Sequence, residues 1–209
     1  MTLELANSIV GGLSEPSKMP CYGYSLPPSK CKTGAKLRKI KNSVCSICYA
    51  FRGHYQFSVV KLAHAKRLAS ITKPLWVKAM AFLINTLDSS GYFRWHDAGD
   101  IQSVSHLKRI IEVCKLTPKT KHWLPTREYG MVRSYIEKGG VIPDNLCVRL
   151  SAYMIDGPPP TALARKLGVS TSGVSKESFT CPASTQGNKC LLCRACWEPQ
   201  HENVNYKRH

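Results

Sequence analysis

The sequence predicts an α/β protein built on a small parallel sheet or a partial (β/α) barrel, with cysteine-rich segments at its two ends. Residues 92–151 alternate between short strand-like patterns and helical patterns of apolar residues. Such alternation favours parallel strands joined by right-handed crossovers. Apolar residues make up 43% of the chain and charged residues 21%, which is enough for a packed core and argues against disorder. A complete eight-strand barrel would need more than these 209 residues.

Three segments divide the chain by composition. Residues 1–56 are rich in Gly, Pro, Ser and Lys, and we expect a loop-rich segment that wraps around the rest. Residues 57–156 form the predicted α/β core, and residues 157–209 form a linker followed by the C-terminal cysteine segment. A chain of this length is expected to fold as one compact domain.

The core elements follow from the spacing of apolar residues. Two helices are predicted at 57–71 and 75–88, the second opened by Pro74 and ended before Gly91. The next elements are a strand at 92–96, a helix capped by Ser103, a strand at 121–127, a helix around 131–136 and a strand at 146–151. After three prolines, one or two helical turns are expected at 161–167, and the stretch 168–178, rich in Ser, Thr and Gly, is predicted to be a loop.

The charge and the N-terminus limit the class of protein. Thirty Lys and Arg residues against thirteen Asp and Glu residues give a formal charge of +17. That charge attracts nucleic acid or anionic small molecules, although it equally suits a solubilising surface. The chain begins without a basic n-region, and no apolar run is long enough to cross a membrane. We therefore expect a cytoplasmic protein without a membrane partner, whose clustered cysteines bind metal.

The most specific motif is the C-terminal cysteine run. Cys190, Cys193 and Cys196 have two residues between neighbours, and Cys181, followed by Pro182, lies a short loop upstream. Iron–sulfur clusters are bound by runs of this kind, often with a remote cysteine that precedes proline. A structural zinc site usually takes two separated C-x-x-C pairs, so zinc is the alternative metal.

A second group of cysteines lies near the N-terminus and consists of Cys21, Cys31, Cys45 and Cys48. Three of them, Cys31, Cys45 and Cys48, would leave one iron of a cluster without a protein thiolate. An open iron can act as a Lewis acid or reduce bound S-adenosylmethionine to begin radical chemistry. Cys114 and Cys147 fall within apolar patterns and are predicted to be core residues.

Polar residues follow three of the predicted strands. The catalytic candidates are His96, Asp97, Asp100, Arg127, Glu128 and Ser151, and Arg149 is assigned to cofactor binding. Because ligands bind at the carboxyl ends of parallel strands, we expect this set to converge on one edge of the sheet. Each residue taken alone is more simply a helix cap or a paired charge, but the set at three successive strand ends indicates a functional site. The sequence contains no Walker loop and no G-x-G-x-x-G, H-E-x-x-H or G-x-S-x-G motif.

Several blocks occur in an order that is typical of a known family. They include Cys31-Lys32-Thr33-Gly34, residues 93–100, residues 123–128, residues 148–152 and residues 190–197. Together they resemble the bacteriophage gene product 88 family over nearly the whole chain. The resemblance implies a phage origin and action in the cytoplasm of the infected bacterium, without an assigned activity.

A more distant similarity is to the radical S-adenosylmethionine enzymes. Cys45-x-x-Cys48-Tyr49 resembles the end of their cysteine motif, and Ala98-Gly99-Asp100 resembles the glycine-rich acidic turn after their second strand. The chain departs from that pattern because its first cysteine is far away and its turn lacks the double glycine and the proline. This similarity is a fold-level analogy and does not by itself transfer an activity.

Three functions are compatible with these patterns. The leading hypothesis is an enzyme with one or two 4Fe–4S or 3Fe–4S clusters, in which an accessible iron is the Lewis acid for hydrolysis or hydration of a small ester or anionic substrate. His96 or Asp97 would then move protons, and Arg127 would hold negative charge. The second hypothesis is a radical S-adenosylmethionine enzyme that acts on nucleic acid or a small molecule. The third is a non-enzymatic nucleic-acid-binding protein stabilised by zinc or a cluster.

Overall fold

A computed structural model describes residues 1–208 and contains one six-stranded sheet. The strands are β1 (Gly23–Tyr24), β2 (Tyr92–Trp95), β3 (Lys121–Thr126), β4 (Leu146–Ser151), β5 (Ser170–Ser175) and β6 (Asn203–Lys207). All neighbouring pairs are parallel, and the spatial order of the strands equals their order in the chain. That winding is the arrangement of a (β/α) barrel segment, so the predicted fold class is confirmed.

The α-helices lie before and between these strands. They are α1 (Leu3–Val10), α2 (Lys32–Leu37), α3 (Ser58–Ser70), α4 (Trp76–Leu87), α5 (Val104–Leu116), α6 (Tyr129–Glu137) and α7 (Thr161–Leu167). The Ser103 side chain accepts a hydrogen bond from the backbone N–H of His106, so it caps α5 as predicted. The predicted elements between residues 57 and 151 are confirmed to within two residues at each end.

The prediction was wrong for the polar parts of the chain. Residues 168–178, predicted to be a loop, contain β5, and β6 was not predicted. The Ser172 hydroxyl donates to Ser151 Oγ on β4 at 3.0 Å, so polar side chains of β5 are satisfied by the neighbouring strand. Residues 1–56, predicted to be loop-rich, also contribute α1, β1 and α2.

The two faces of the sheet are covered by different parts of the chain. Leu124 and Val148 belong to the main core, which also contains apolar residues of α1, α4 and α5. The opposite face, which we call the inner face, presents Trp123 and Val204 to the C-terminal cysteine segment. Because the sheet draws strands from all three predicted segments, those segments fold around one sheet. Within the described part of the chain, no helix is long and apolar enough to span a membrane.

Candidate functional site

The carboxyl ends of the strands form one edge of the sheet, which we call the carboxyl edge. Asp100 joins the loop after β2 to the loop after β3. Its carboxylate accepts hydrogen bonds from Thr126 Oγ1 at 2.6 Å, Ile101 N at 2.8 Å and Arg127 N at 2.9 Å. Burial nevertheless outweighs these three donors and raises the pKa of Asp100 to about 6. Asp100 is therefore a buried organiser of the edge that titrates close to neutral pH.

Two acidic candidates attach the N-terminal segment to this edge. Thr33 donates from its backbone N to Glu128 Oε1 at 2.7 Å and from its hydroxyl to Glu128 Oε2 at 2.8 Å. The hydroxyl of Tyr55 donates to Asp97 Oδ2 at 2.9 Å, and that of Tyr49 donates to the Asp97 carbonyl oxygen. Asp97 and Glu128 thus hold the segment that carries the first cysteines across the strand ends.

The N-terminal cysteine group consists of Cys31, Cys45 and Cys48, all carried by this covering segment. A Cβ atom built on Gly34 would lie 3.6 Å from Cys45 Sγ and 3.7 Å from Cys31 Sγ, so both sulfurs face the small space beside that glycine. Burial raises the pKa of Cys31, Cys48 and Cys45 add to the rise, and the cation of Arg127 opposes it. Burial also raises the pKa of Cys45, where Arg127 again lowers it and Cys48 again raises it. The three thiols and Arg127 therefore share one neighbourhood at the carboxyl edge.

The C-terminal cysteine group consists of Cys181, Cys190, Cys193 and Cys196 and lies against the inner face. Burial raises the pKa of Cys190, and Cys181 and Cys193 add to that rise. Burial also raises the pKa of Cys196 to about 12, with a contribution from Cys181. These mutual effects join all four thiols of the predicted run in one group.

Cys21 belongs with the C-terminal group, and its assignment to the N-terminal group was wrong. The backbone N–H of Cys190 donates to the Lys18 carbonyl oxygen at 2.9 Å. Burial raises the pKa of Cys21 to about 12, and Cys190 is among the charges that act on it. The reason is topological: β1 lies between Cys21 and Cys31 and carries the chain from one end of the sheet to the other.

Arg149 positions the C-terminal segment. Its side chain is fully buried in β4 and points to the inner face. The guanidinium donates to the carbonyl oxygens of Ala195 at 2.6 Å, His201 at 2.8 Å, Glu198 at 2.9 Å, Cys196 at 3.0 Å and Thr171 at 3.1 Å. All five N–H groups of the side chain are therefore used by the protein backbone. The structure thus gives Arg149 a positioning role in place of the predicted cofactor contact.

His96 follows β2, but its ring lies among residues of the helix-side core. Its backbone is left-handed, with φ of 57°, so its side chain does not follow the alternating directions of the side chains in β2. Its ring centroid lies 5.5 Å from that of His106 on α5 and 6.4 Å from that of Trp95. Among the described residues neither ring nitrogen has a hydrogen-bond partner, and burial lowers the pKa of His96 well below its ordinary value. His96 is consequently a buried, neutral imidazole.

Sequence reasoning missed Arg94, whose charge acts on the C-terminal cysteine group on one side and on Tyr49 and Asp97 of the carboxyl edge on the other. Strand alternation places this β2 residue on the inner face, where its guanidinium lies 4.3 Å above the Trp123 ring. Its charge lowers the pKa of Cys190, whose main shift upward comes from burial. Burial lowers the pKa of Arg94. The negative charges of Tyr49 and Asp97 raise it by more than burial lowers it, so the pKa is above its ordinary value. A cation inside an otherwise aromatic strand was the available signal.

Among residues 1–208, no three His, Cys, Asp or Glu side chains are arranged to hold one metal ion. All ten cysteines are free thiols, and eight of them belong to the two predicted ligand groups. The thiolates of an iron–sulfur cluster bind different irons, so they stand farther apart than the ligands of one zinc ion.

Comparison with known proteins identifies one family. The sequence model of a family described as Gene product 88 matches residues 3–199, which include β1 to β5 and both cysteine groups. No curated protein and no solved structure matches the chain.

Proposed function

The chain belongs to the Gene product 88 family, and we propose that it is an iron–sulfur enzyme of the radical S-adenosylmethionine type. The position of two motifs on the sheet carries this proposal. The N-terminal cysteine group follows β1 and the acidic turn 97–100 follows the adjacent β2, so both lie at the carboxyl edge. A cluster bound there would reduce S-adenosylmethionine and thereby supply a radical for hydrogen abstraction.

The residues around this site have distinct positioning roles in the proposal. Cys31, Cys45 and Cys48 would hold the cluster, and their thiolates would need a compensating positive charge. Arg127 is the cation that lowers the pKa of Cys31 and Cys45 against the effect of burial, so it is suited to that task. Asp100 fixes the Arg127 backbone through the 2.9 Å hydrogen bond from its N–H.

Lewis-acid hydrolysis is a second candidate that the geometry supports less well. It is favoured by the same open cysteine group and by Arg127, which could hold an anionic substrate. It needs a group that moves protons at the carboxyl edge. Burial beside His106 lowers the pKa of His96 well below its ordinary value, so His96 is a weak base for that task.

The substrate and the cellular setting also belong to the proposal. A small molecule and a nucleic acid are both candidate substrates, and the charge of +17 favours a polyanion. Action in the cytoplasm of an infected bacterium rests on the family resemblance alone. The non-enzymatic nucleic-acid binder is the outcome to accept when no iron is bound.

The experiment begins with protein purified without oxygen, in which iron, acid-labile sulfide and zinc are measured. We expect brown protein that contains iron and sulfide, and Cys48→Ala should lose about half of the iron when both cysteine groups are loaded. Cys114→Ala is the matched control, because Cys114 is fully buried in α5 and lies in the main core. Its iron content should equal that of the unmodified protein.

Adding S-adenosylmethionine to the reduced protein then separates the candidates. The proposal predicts a changed electron paramagnetic resonance spectrum and formation of 5′-deoxyadenosine. A cluster whose spectrum does not respond would favour the Lewis-acid alternative. Zinc without sulfide would refute both enzymes.

A further inference from the structure

The positive charge of the chain is concentrated in its N-terminal part. Between Glu15 and Asp88 there are thirteen Lys and Arg residues and no Asp or Glu. This acid-free stretch contributes thirteen of the seventeen net charges. Twelve of the thirteen side chains are exposed, and Arg67 is the buried exception. The stretch is therefore a local electrostatic feature as well as a source of net charge.

Seven of these charges lie on the segment that covers the carboxyl edge. We call them the basic rim, and they are Lys30, Lys32, Lys36, Arg38, Lys39, Lys41 and Arg52. The segment is fixed to the edge by the bonds from Thr33 to Glu128 and by the backbone bond from Val44 N to the Tyr153 carbonyl oxygen at 2.8 Å. Among residues 1–208 no member of the basic rim forms an ion pair. Seven cations without ion pairs thus lie on the segment that covers the carboxyl edge.

Aromatic rings are interleaved with the basic rim. The guanidinium of Arg38 lies 4.1 Å from the centre of the Phe51 ring, which joins the rim to the next turn of chain. Phe57 is 56% exposed, and its only described ring neighbour is His54 at 5.2 Å. Tyr49 is 41% exposed at the same end of the sheet. Cations that follow a phosphate backbone, together with exposed rings that stack on bases, are the two components of a surface for single-stranded nucleic acid.

We propose that the basic rim and Phe57 bind single-stranded nucleic acid and present one of its nucleotides to the site at the carboxyl edge. The presentation rests on the proposed function, whereas the binding does not. A small anion needs one or two cations, so seven unpaired cations match a ligand with repeated phosphates. The exposed ring favours unpaired bases, because the π-faces of paired bases are covered by their neighbours in the duplex.

The test measures fluorescence anisotropy of a labelled twelve-nucleotide oligothymidylate with the complete, anaerobically purified protein. The variant combines Lys32→Gln, Lys36→Gln and Lys39→Gln. Each lost contact to a single strand removes about 0.7 from the slope of log K against log salt, so three lower the slope by about 2 and weaken binding about a hundredfold at 0.1 M salt. Phe57→Ala should weaken binding about tenfold at an unchanged slope.

The matched control removes three exposed lysines near the opposite edge, with Lys115→Gln, Lys119→Gln and Lys121→Gln. It should change the affinity and the slope little. Equal weakening by both triple variants would overturn the proposal, because the charge would then act without a defined surface. Tighter binding of a duplex of the same length would overturn the assignment to single strands. Iron and sulfide are measured on the same samples. Protein that contains no iron but binds the oligonucleotide as expected would refute the proposed enzyme and support the proposed nucleic-acid surface.

Discussion

Replacing Arg149 with methionine should release the C-terminal cysteine segment from the inner face. The side chain is fully buried, and its five N–H groups bind five backbone carbonyls, four of them between residues 195 and 201. Methionine has a similar length and no donor. The carbonyls must then either stay buried without partners or leave the sheet to reach water.

The magnitude follows from these five bonds. A hydrogen bond to a charged group contributes about 1.5–3 kcal/mol, but contributions from one side chain are not additive. Breaking a buried charged pair costs about 3–5 kcal/mol, so we expect the free energy of unfolding to fall by about 4 kcal/mol. With a urea dependence of about 2 kcal/mol per molar, the unfolding midpoint falls by about 2 M. Arg149→Lys keeps the charge but offers three donors, so its loss should be smaller.

Urea unfolding and limited proteolysis together measure this effect. We expect Arg149→Met to unfold at lower urea and to be cleaved between residues 178 and 200 under native conditions. The control is Arg165→Met, because Arg165 is exposed in α7 and pairs with Glu202 at 3.2 Å on the surface. A surface pair contributes about 0–1 kcal/mol, so this control should stay near the unmodified protein. An unchanged midpoint and a protected segment in Arg149→Met would refute the reasoning.

Three further predictions concern the thiols and the buried carboxyl. Cys114→Ala and Cys147→Ala should each lower the free energy of unfolding by about 1–2 kcal/mol and leave the iron content unchanged; loss of iron in either variant would contradict their placement in the core. If the C-terminal cysteine group binds a cluster, Tyr206→Phe should keep its iron and make its midpoint potential more negative, because the substitution removes the 3.3 Å contact between the hydroxyl and Cys196 Sγ; an unchanged potential in a redox titration would show that the contact is unimportant. The pKa of Asp100, about 6 against the usual 3.8, means that the folded chain holds the proton more tightly than the unfolded chain. Its contribution to stability is therefore complete below about pH 4 and is lost as the pH rises through about 6. In the metal-free protein, the urea midpoint should therefore decrease between about pH 4 and about pH 6. In metal-free Asp100→Asn, this decrease should be absent.

The elements between residues 57 and 151 were predictable because the spacing of their own apolar residues indicates each helix or strand. Apolar spacing located α3 to α6 and β2 to β4, and the parallel arrangement followed from their alternation. β5 gave no such signal, because its pairing depends on its neighbours, and β6 carries only the short alternation of Val204 and Tyr206 with polar residues. At Gly173, for example, an added Cβ would lie 2.5 Å from Asn205 Oδ1 on β6, so the glycine that predicted a loop leaves room for the side chain of the neighbouring strand.

The site was predictable in its location and less so in the role of each residue. Strand ends brought Asp97, Asp100 and Arg127 to one edge, as topology requires. Whether one of these residues has a structural role depends on its hydrogen-bond partners, and the spacing of residues in the sequence does not identify those partners. Arg149 illustrates this, since an arginine at a strand end has the same sequence signature whether it binds a ligand or five carbonyls.

The late position of the C-terminal segment has a consequence for biosynthesis. Trp123 and the neighbouring inner face are covered by Trp197 and by residues of the C-terminal cysteine group. The Trp197 indole also donates to the Phe93 carbonyl oxygen at 2.9 Å, across 104 positions of the chain. While the chain is being translated, β2 and β3 therefore emerge from the ribosome long before the segment that covers them. A ribosome that stalls before residue 181 would release a sheet with an exposed aromatic face and Cys21 without its partners, which is the kind of surface that chaperones and proteases recognise.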